Sequence, residues 1–143
     1  MKIIIDGDGT PKEARRICEE LSNKKNINII VVSSYDHDIR GEFDVVRVSK
    51  GQDSADFKIV ELFKEGDILV TQDYGLASLV LNRAKAVINP SGFLYTQKNI
   101  DNLLHSRYIG RKIRQAGGRT KGPSKRSSED DEKFKRLLYE ILN

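Results

Sequence analysis

Tryptophan is absent from the 143 residues, cysteine occurs once, and no apolar run comes near the ~20 residues that a membrane span needs. Cys18 alone excludes an intramolecular disulfide and any cysteine-built metal cluster. Its place among apolar positions of the first expected helix makes it a small core residue. The opening MKIIID has a charge but no apolar h-region of ~7 or more residues, so no signal peptide is expected and the cytoplasm is the expected compartment. Histidine occurs twice, and neither His37 nor His105 has a partner at HxxE or HExxH spacing.

What is present is charge, unevenly spread. Residues 1–101 carry 14 Lys/Arg against 16 Asp/Glu, whereas residues 102–143 carry 11 against 5. Between Asp101 and Glu129 there is no acid at all, while Arg107, Arg111, Lys112, Arg114, Arg119, Lys121, Lys125 and Arg126 fall there with Tyr108 among them. Such a stretch suits the phosphates of RNA or another polyanion, and equally a solvated basic surface. With 38% hydrophobic and 32% charged residues the chain reads as globular, and its length fits one domain, residues 1–143.

Apolar runs and helical stripes alternate. Strands are expected at residues 2–5, 27–32, 43–48, 67–71 and 85–88. Thr10-Pro11-Lys12-Glu13 has the form of a capping box opening a helix, with Thr10 as the cap and Ala14, Ile17, Cys18 and Leu21 as its stripe. A second helix opens at Asp53, and a third follows Gln72-Asp73. After Asn89-Pro90 the pattern changes to a polar helix at 97–116 with Ile100, Leu103, Leu104 and Ile113. A basic flexible segment spans 117–128, and a closing helix at 129–142 is capped by Ser128 and buries Phe134, Leu137, Leu138 and Ile141. The alternation predicts an α/β fold: a mainly parallel five-stranded sheet with helices on both faces.

In such sheets ligands bind beyond the carboxyl ends of the strands. Asp6 follows the first strand, Asp8 lies beside it in Gly7-Asp8-Gly9, Asp73 comes just after the fourth, and Asp53 and Asp56 start a helix near the same rim. Aspartate at a helix start is also a good N-cap, which alone accounts for Asp53 or Asp73. Asp6 and Asp8 have no such task if Thr10 caps. Carboxylates gathered at one rim repel and hold protons unless neutralised, and Mg²⁺ or Mn²⁺ is the hard cation that fits them. Ser33 and Ser34, after the second strand, read first as turn formers.

The motifs Asp6-Gly7-Asp8-Gly9-Thr10-Pro11, Gly51-Gln52-Asp53-Ser54-Ala55-Asp56, Thr71-Gln72-Asp73 with Leu76-Ala77, Asn89-Pro90-Ser91-Gly92, Leu94-Tyr95-Thr96, Asn99-Ile100 and Gly117-Gly118-Arg119-Thr120-Lys121-Gly122-Pro123 run in order along nearly the whole chain. By them the sequence resembles the YaiI/YqxD family, also described as UPF0178 or DUF188. The family usually reads D-A-D-A-C-P at the first motif, so Thr10 stands where a cysteine is usual. The family is similar to PIN-like three-layer α/β/α domains, many of which are metal-dependent ribonucleases. That resemblance implies Asp6, Asp53 or Asp56, and Asp73 as metal ligands, and a nuclease acting on RNA with Asp6, Asp8 and Asp73 as catalytic carboxylates. Two other readings compete. Ile3–Thr10 spells I-I-I-D-G-D-G-T, similar to the opening of haloacid-dehalogenase phosphatases, in which Asp6 would be nucleophile and Asp8 acid/base. Against it stand the immediate helix at Pro11, the lack of a lysine motif, and the place of Asp67 at the start of its strand. The basic tail also fits a non-catalytic RNA-binding module.

Overall fold

The computed structural model describes residues 1–34, 39–49, 51, 54–119 and 125–143. Strand β1 (Lys2–Asp6) is followed by α1 (Lys12–Lys25), β2 (Asn28–Ser34), β3 (Asp44–Val48), α2 (Ser54–Leu62), β4 (Ile68–Val70), α3 (Tyr74–Val80), β5 (Ala86–Asn89), β6 (Phe93–Leu94), α4 (Gln97–Gln115) and α5 (Ser128–Leu142). The sheet order is β3-β2-β1-β4-β5-β6. Strands β1 to β5 run parallel, and β6 turns back antiparallel to β5, pairing Leu94 with Ile88 and Phe93 with Asn89.

The mainly parallel sheet is as the sequence predicts, with six strands instead of five. Two residues are too few to show a period of two, so β6 leaves no pattern in the sequence. Its hairpin rests on local chemistry: the Ser91 N–H donates to Asn89 Oδ1 at 2.8 Å, and the Gly92 N–H to the Asn89 carbonyl at 2.9 Å. Gly92 has φ +102°, and a Cβ there would come within 2.4 Å of Lys133 Cβ on α5.

Each central strand is buried on both faces, so successive side chains enter different cores. Ile3 and Ile5 point into one with Val31, Ile68 and Val70, under α1 and α5. Ile4 points into the other with Val32, Leu69 and Val87, under α2, α3 and α4. Ile3, Ile4 and Ile5 are wholly buried, each worth about 1.5–3 kcal/mol of transfer free energy. The layers are therefore α/β/α.

Helix starts differ from expectation in detail. Pro11, not Thr10, occupies the cap of α1, with no side-chain hydrogen bond, and the Thr10 hydroxyl is buried without a hydrogen-bond partner among the described residues. Ser127 rather than Ser128 caps α5, in a capping box with Asp130. Phe134 and Leu138 are buried as expected, with Leu137 and Ile141 packed beside them. In α4 Ile100 is buried and Leu103 packs against the core, but Leu104 and Ile113 are exposed. Among the described residues no helix is long and apolar enough to cross a membrane.

Candidate metal centre

The order 3-2-1-4-5 places the topological switch point between β1 and β4: the chain moves outward to one side through β2 and β3, then returns past β1 to β4. A crevice opens there at the carboxyl ends, because the following helices depart to opposite faces. Asp6 ends β1. Thr71 directly follows β4, and its hydroxyl donates to Asp6 Oδ2 at 2.8 Å. The same Thr71 oxygen accepts the Asp73 N–H at 3.0 Å, so one buried hydroxyl ties both aspartates to the strand ends. Tyr95, buried under β5, donates its hydroxyl to the Thr71 carbonyl at 3.1 Å and accepts from Asn89 Nδ2 at 3.0 Å.

Asp73 caps α3, its Oδ1 accepting the Leu76 N–H at 3.1 Å. Asp8 is exposed and accepts from both serines at the end of β2: Ser33 Oγ at 3.1 Å, and Ser34 N–H at 3.1 Å. Ser33 and Ser34 thus lie within β2 and hold the rim loop. Gly7 lets that loop close down, since a Cβ there would meet Val31 and Ile39 side chains at 2.8 and 2.9 Å while its N–H donates to the Val32 carbonyl. Gly9 passes so near Asp6 that a Cβ would stand 3.2 Å from Oδ2. Asp56, in the first turn of α2, faces the same opening.

Asp6, Asp8, Asp56 and Asp73 line one open cleft of about 450 Å³, together with Gly9, Gly51, Ala55 and Gln72. They come from three separate stretches of sequence. Asp6 is only 7% exposed, and its pKa is pushed up to about 6. Burial does most of this. The Thr71 hydrogen bond works against it, and the negative charges of Asp56, Asp8 and Asp73 add to it. Among the described residues no three or more His, Cys, Asp or Glu stand together so as to hold a metal ion. The donor set is one of hard carboxylates on an open cleft, which suits Mg²⁺ or Mn²⁺, ions held by one or two carboxylates and several waters. The raised Asp6 pKa reflects desolvation and repulsion, both of which a bound cation would relieve.

Of the other expected site residues, Asp53 and Lys121 lie outside the described residues, as does His37. Arg107, Arg111, Lys112 and Arg114 lie on the outer part of α4 and are exposed, as are Arg119 and Lys125. Arg126 is half-buried and anchored, donating to the Pro90 carbonyl at 2.6 Å and to Asp131 Oδ1 at 2.8 Å. His105 is exposed, and Cys18 is fully buried with its thiol pKa pushed up by desolvation. Asp67 lies at the far end of the sheet, paired with Lys2 and accepting the Lys64 N–H, so it is not part of the rim. Sequence reasoning missed Thr71 and Tyr95. Both stood inside quoted motifs, and a buried hydroxyl directly after a strand was the signal available.

Residues 4–143 match the family described as "Uncharacterized BCR, YaiI/YqxD family". A UPF0178 protein of Enterococcus faecalis is 47% identical over 146 residues, covering 99% of this chain and 97% of its own. Those of Natranaerobius thermophilus and Clostridium kluyveri are 41% and 39% identical, covering 99% of this chain and 96% and 93% of theirs. The chain belongs to the YaiI/YqxD (UPF0178, DUF188) family. A mutant form of Rae1 (YacP) from Bacillus subtilis is 17% identical, with 99% of this chain and 98% of that one covered and a TM-score of 0.45, a likeness too weak to carry an argument.

Proposed function

We propose that the cleft binds Mg²⁺ or Mn²⁺ and hydrolyses phosphodiester bonds of RNA. The observation that carries this reading is the convergence of Asp6, Asp8, Asp56 and Asp73 on one cleft at the switch point, with Asp6 pushed up to about 6. The family's resemblance to PIN-like domains points the same way. Asp6, Asp73 and Asp56 would hold the ion, with Asp53 as the further ligand expected from the sequence. When bound, the ion supplies positive charge to the phosphoryl oxygens and acidifies water.

The chain's own groups do the positioning. Thr71 fixes the Asp6 carboxylate and the Asp73 backbone on one oxygen. Asp73 is further held by the α3 N-terminus. Asp8, steadied by Ser33 and Ser34 at the mouth, is the acceptor for the proton that an attacking water gives up. Asp6 keeps its proton up to about pH 6 and would hold an ion in its ionised form, so activity should rise with pH through that region.

The test is purified protein with Mn²⁺ and single-stranded RNA. Wild type should cleave, and Asp6→Asn and Asp73→Asn should each lose at least ~100-fold, the upper end of what loss of a metal site's supporting partner brings. No cleavage by wild type, or equal cleavage by both variants, rejects the proposal. The rival reading, an RNA-binding module without catalysis, is favoured by the exposed cations of α4 and would show as RNA binding indifferent to metal and to both substitutions.

A further inference from the structure

A second cleft carries the opposite charge. It measures about 380 Å³ and is lined by Lys12, Arg15, Arg16, Glu19, Arg40 and Phe43. Lys12, Arg15 and Arg16 come from the first turn and a half of α1, and Arg40 from the segment leading to β3. Four cations and one carboxylate thus face one concavity. Glu19 is already engaged, its Oε1 accepting the Glu42 N–H at 2.7 Å, and Arg16 pairs with Glu13. Cations thus make up four of the six residues that line the concavity.

This concavity adjoins the acidic cleft. Gly9 lines the acidic cleft and Lys12 the basic one, so three residues of chain keep their Cα atoms within about 11 Å. Arg15 joins the two, donating from Nη1 to the Thr10 carbonyl at 2.8 Å and so pinning the loop that carries Gly9. A polyanion drawn to a cluster of aspartates needs cations close by to offset repulsion, and Lys12 and Arg15 stand next to the loop that carries Gly9.

We propose that Lys12, Arg15, Arg16 and Arg40 form a phosphate-binding subsite that holds a backbone or terminal phosphate of the RNA strand whose scissile bond lies in the acidic cleft. The inference rests on the RNA reading above, but its test reads binding, not cleavage. Guanidinium groups suit it because their planar fork matches phosphate oxygens, and Lys12 adds a point charge. Phe43, half-buried, forms an apolar wall to the cavity.

The probe is a 3′-labelled single-stranded RNA of about a dozen nucleotides, bearing either a 5′-phosphate or a 5′-hydroxyl, titrated by fluorescence anisotropy in EDTA between 50 and 200 mM salt, a range over which phosphate neutralisation dominates the change in affinity. Lys12→Ala/Arg40→Ala should bind about 10-fold more weakly at 100 mM salt, with a log–log salt slope lower by about 1.4, that is ~0.7 for each phosphate of the single strand that is no longer neutralised. Lys24→Ala, at the far end of α1, should bind as wild type does. Arg15→Lys retains charge while removing the fork, so it should weaken binding less than the double variant and checks that the effect is not misfolding. If the loss occurs only with the 5′-phosphate RNA, the pocket holds a terminal phosphate; if with both, an internal one. Unchanged affinity and slope in the double variant overturn the subsite, as does absence of RNA binding by wild type. Cleavage without pocket dependence would sink the subsite alone, and pocket-dependent binding without cleavage would sink the nuclease reading alone.

Discussion

The acidic rim and the outer part of α4 are built in opposite ways. At the rim, Asp6, Asp8 and Asp73 are each fixed by at least one hydrogen bond to a neighbouring strand or helix end. Behind them stand wholly buried isoleucines of β1. On α4, every residue from 104 to 119 except Gly110 is exposed, including Leu104, Tyr108, Ile109 and Ile113. Its inner end is held by Ile100, Leu103 and the Thr96 capping box with Asn99. Helical segments of that length are marginal without tertiary support, so the outer turns persist as a continuation of the anchored ones. Lys112 lies over the Tyr108 ring at 5.5 Å, a local interaction that orders the surface little. Metal chemistry needs carboxylates held in place, and hydrogen bonds at the sheet edge hold Asp6, Asp8 and Asp73. Attraction of a polyanion acts over several ångströms and tolerates an exposed mount.

The comparison can be broken first through stability. Asp6 ionises near 3.8 in the unfolded chain and near 6 in the folded one. At pH values below 3.8 it is protonated in both states. Between the two values the folded form keeps the proton while the unfolded form loses it, so stability falls as pH rises, and above about 6 the full penalty, on the order of 3 kcal/mol, is present. In EDTA at pH 7.5, Asp6→Asn should therefore raise the melting temperature by several degrees, and the gain should vanish near pH 4. A destabilised Asp6→Asn at pH 7.5 would mean that the rim is not strained by its charges.

A smaller effect separates charge from capping at Asp73. Asparagine caps as well as aspartate does, so Asp73→Asn should change stability little, whereas Asp73→Ala should lose about 1 kcal/mol in chemical denaturation. Equal losses would make the charge, and not the cap, the source of stability. The smallest change in stability is expected on the arm. Arg107→Ala/Arg111→Ala should stay within about 0.5 kcal/mol of wild type while lowering the salt slope of RNA binding by about 1.4. An unchanged slope would leave the arm without a role in RNA binding.

Much of the rim was legible because its logic is local. Asp6 ends an apolar run, and Asp73 follows one. What was not legible depends on strands that meet only in space. Asp8 has a structural task after all, tied to Ser33 and Ser34 across 25 and 26 residues of sequence. Thr71 serves Asp6 across 65. Lys12, Arg15 and Arg16 share a cavity with Arg40, more than 20 residues away in sequence. Leu104 and Ile113 keep helical spacing with Ile100, but periodicity cannot tell where a helix leaves the body it packs on.

The central claim is that Asp6 and Asp73 share one cation. Isothermal titration of Mn²⁺ into the wild type, Asp6→Asn and Asp73→Asn at pH 7.5 tests it most directly. The account predicts saturable binding to wild type, weakened at least ~10-fold by either substitution, with both variants folded. Mn²⁺ affinity that is the same in all three proteins would contradict it.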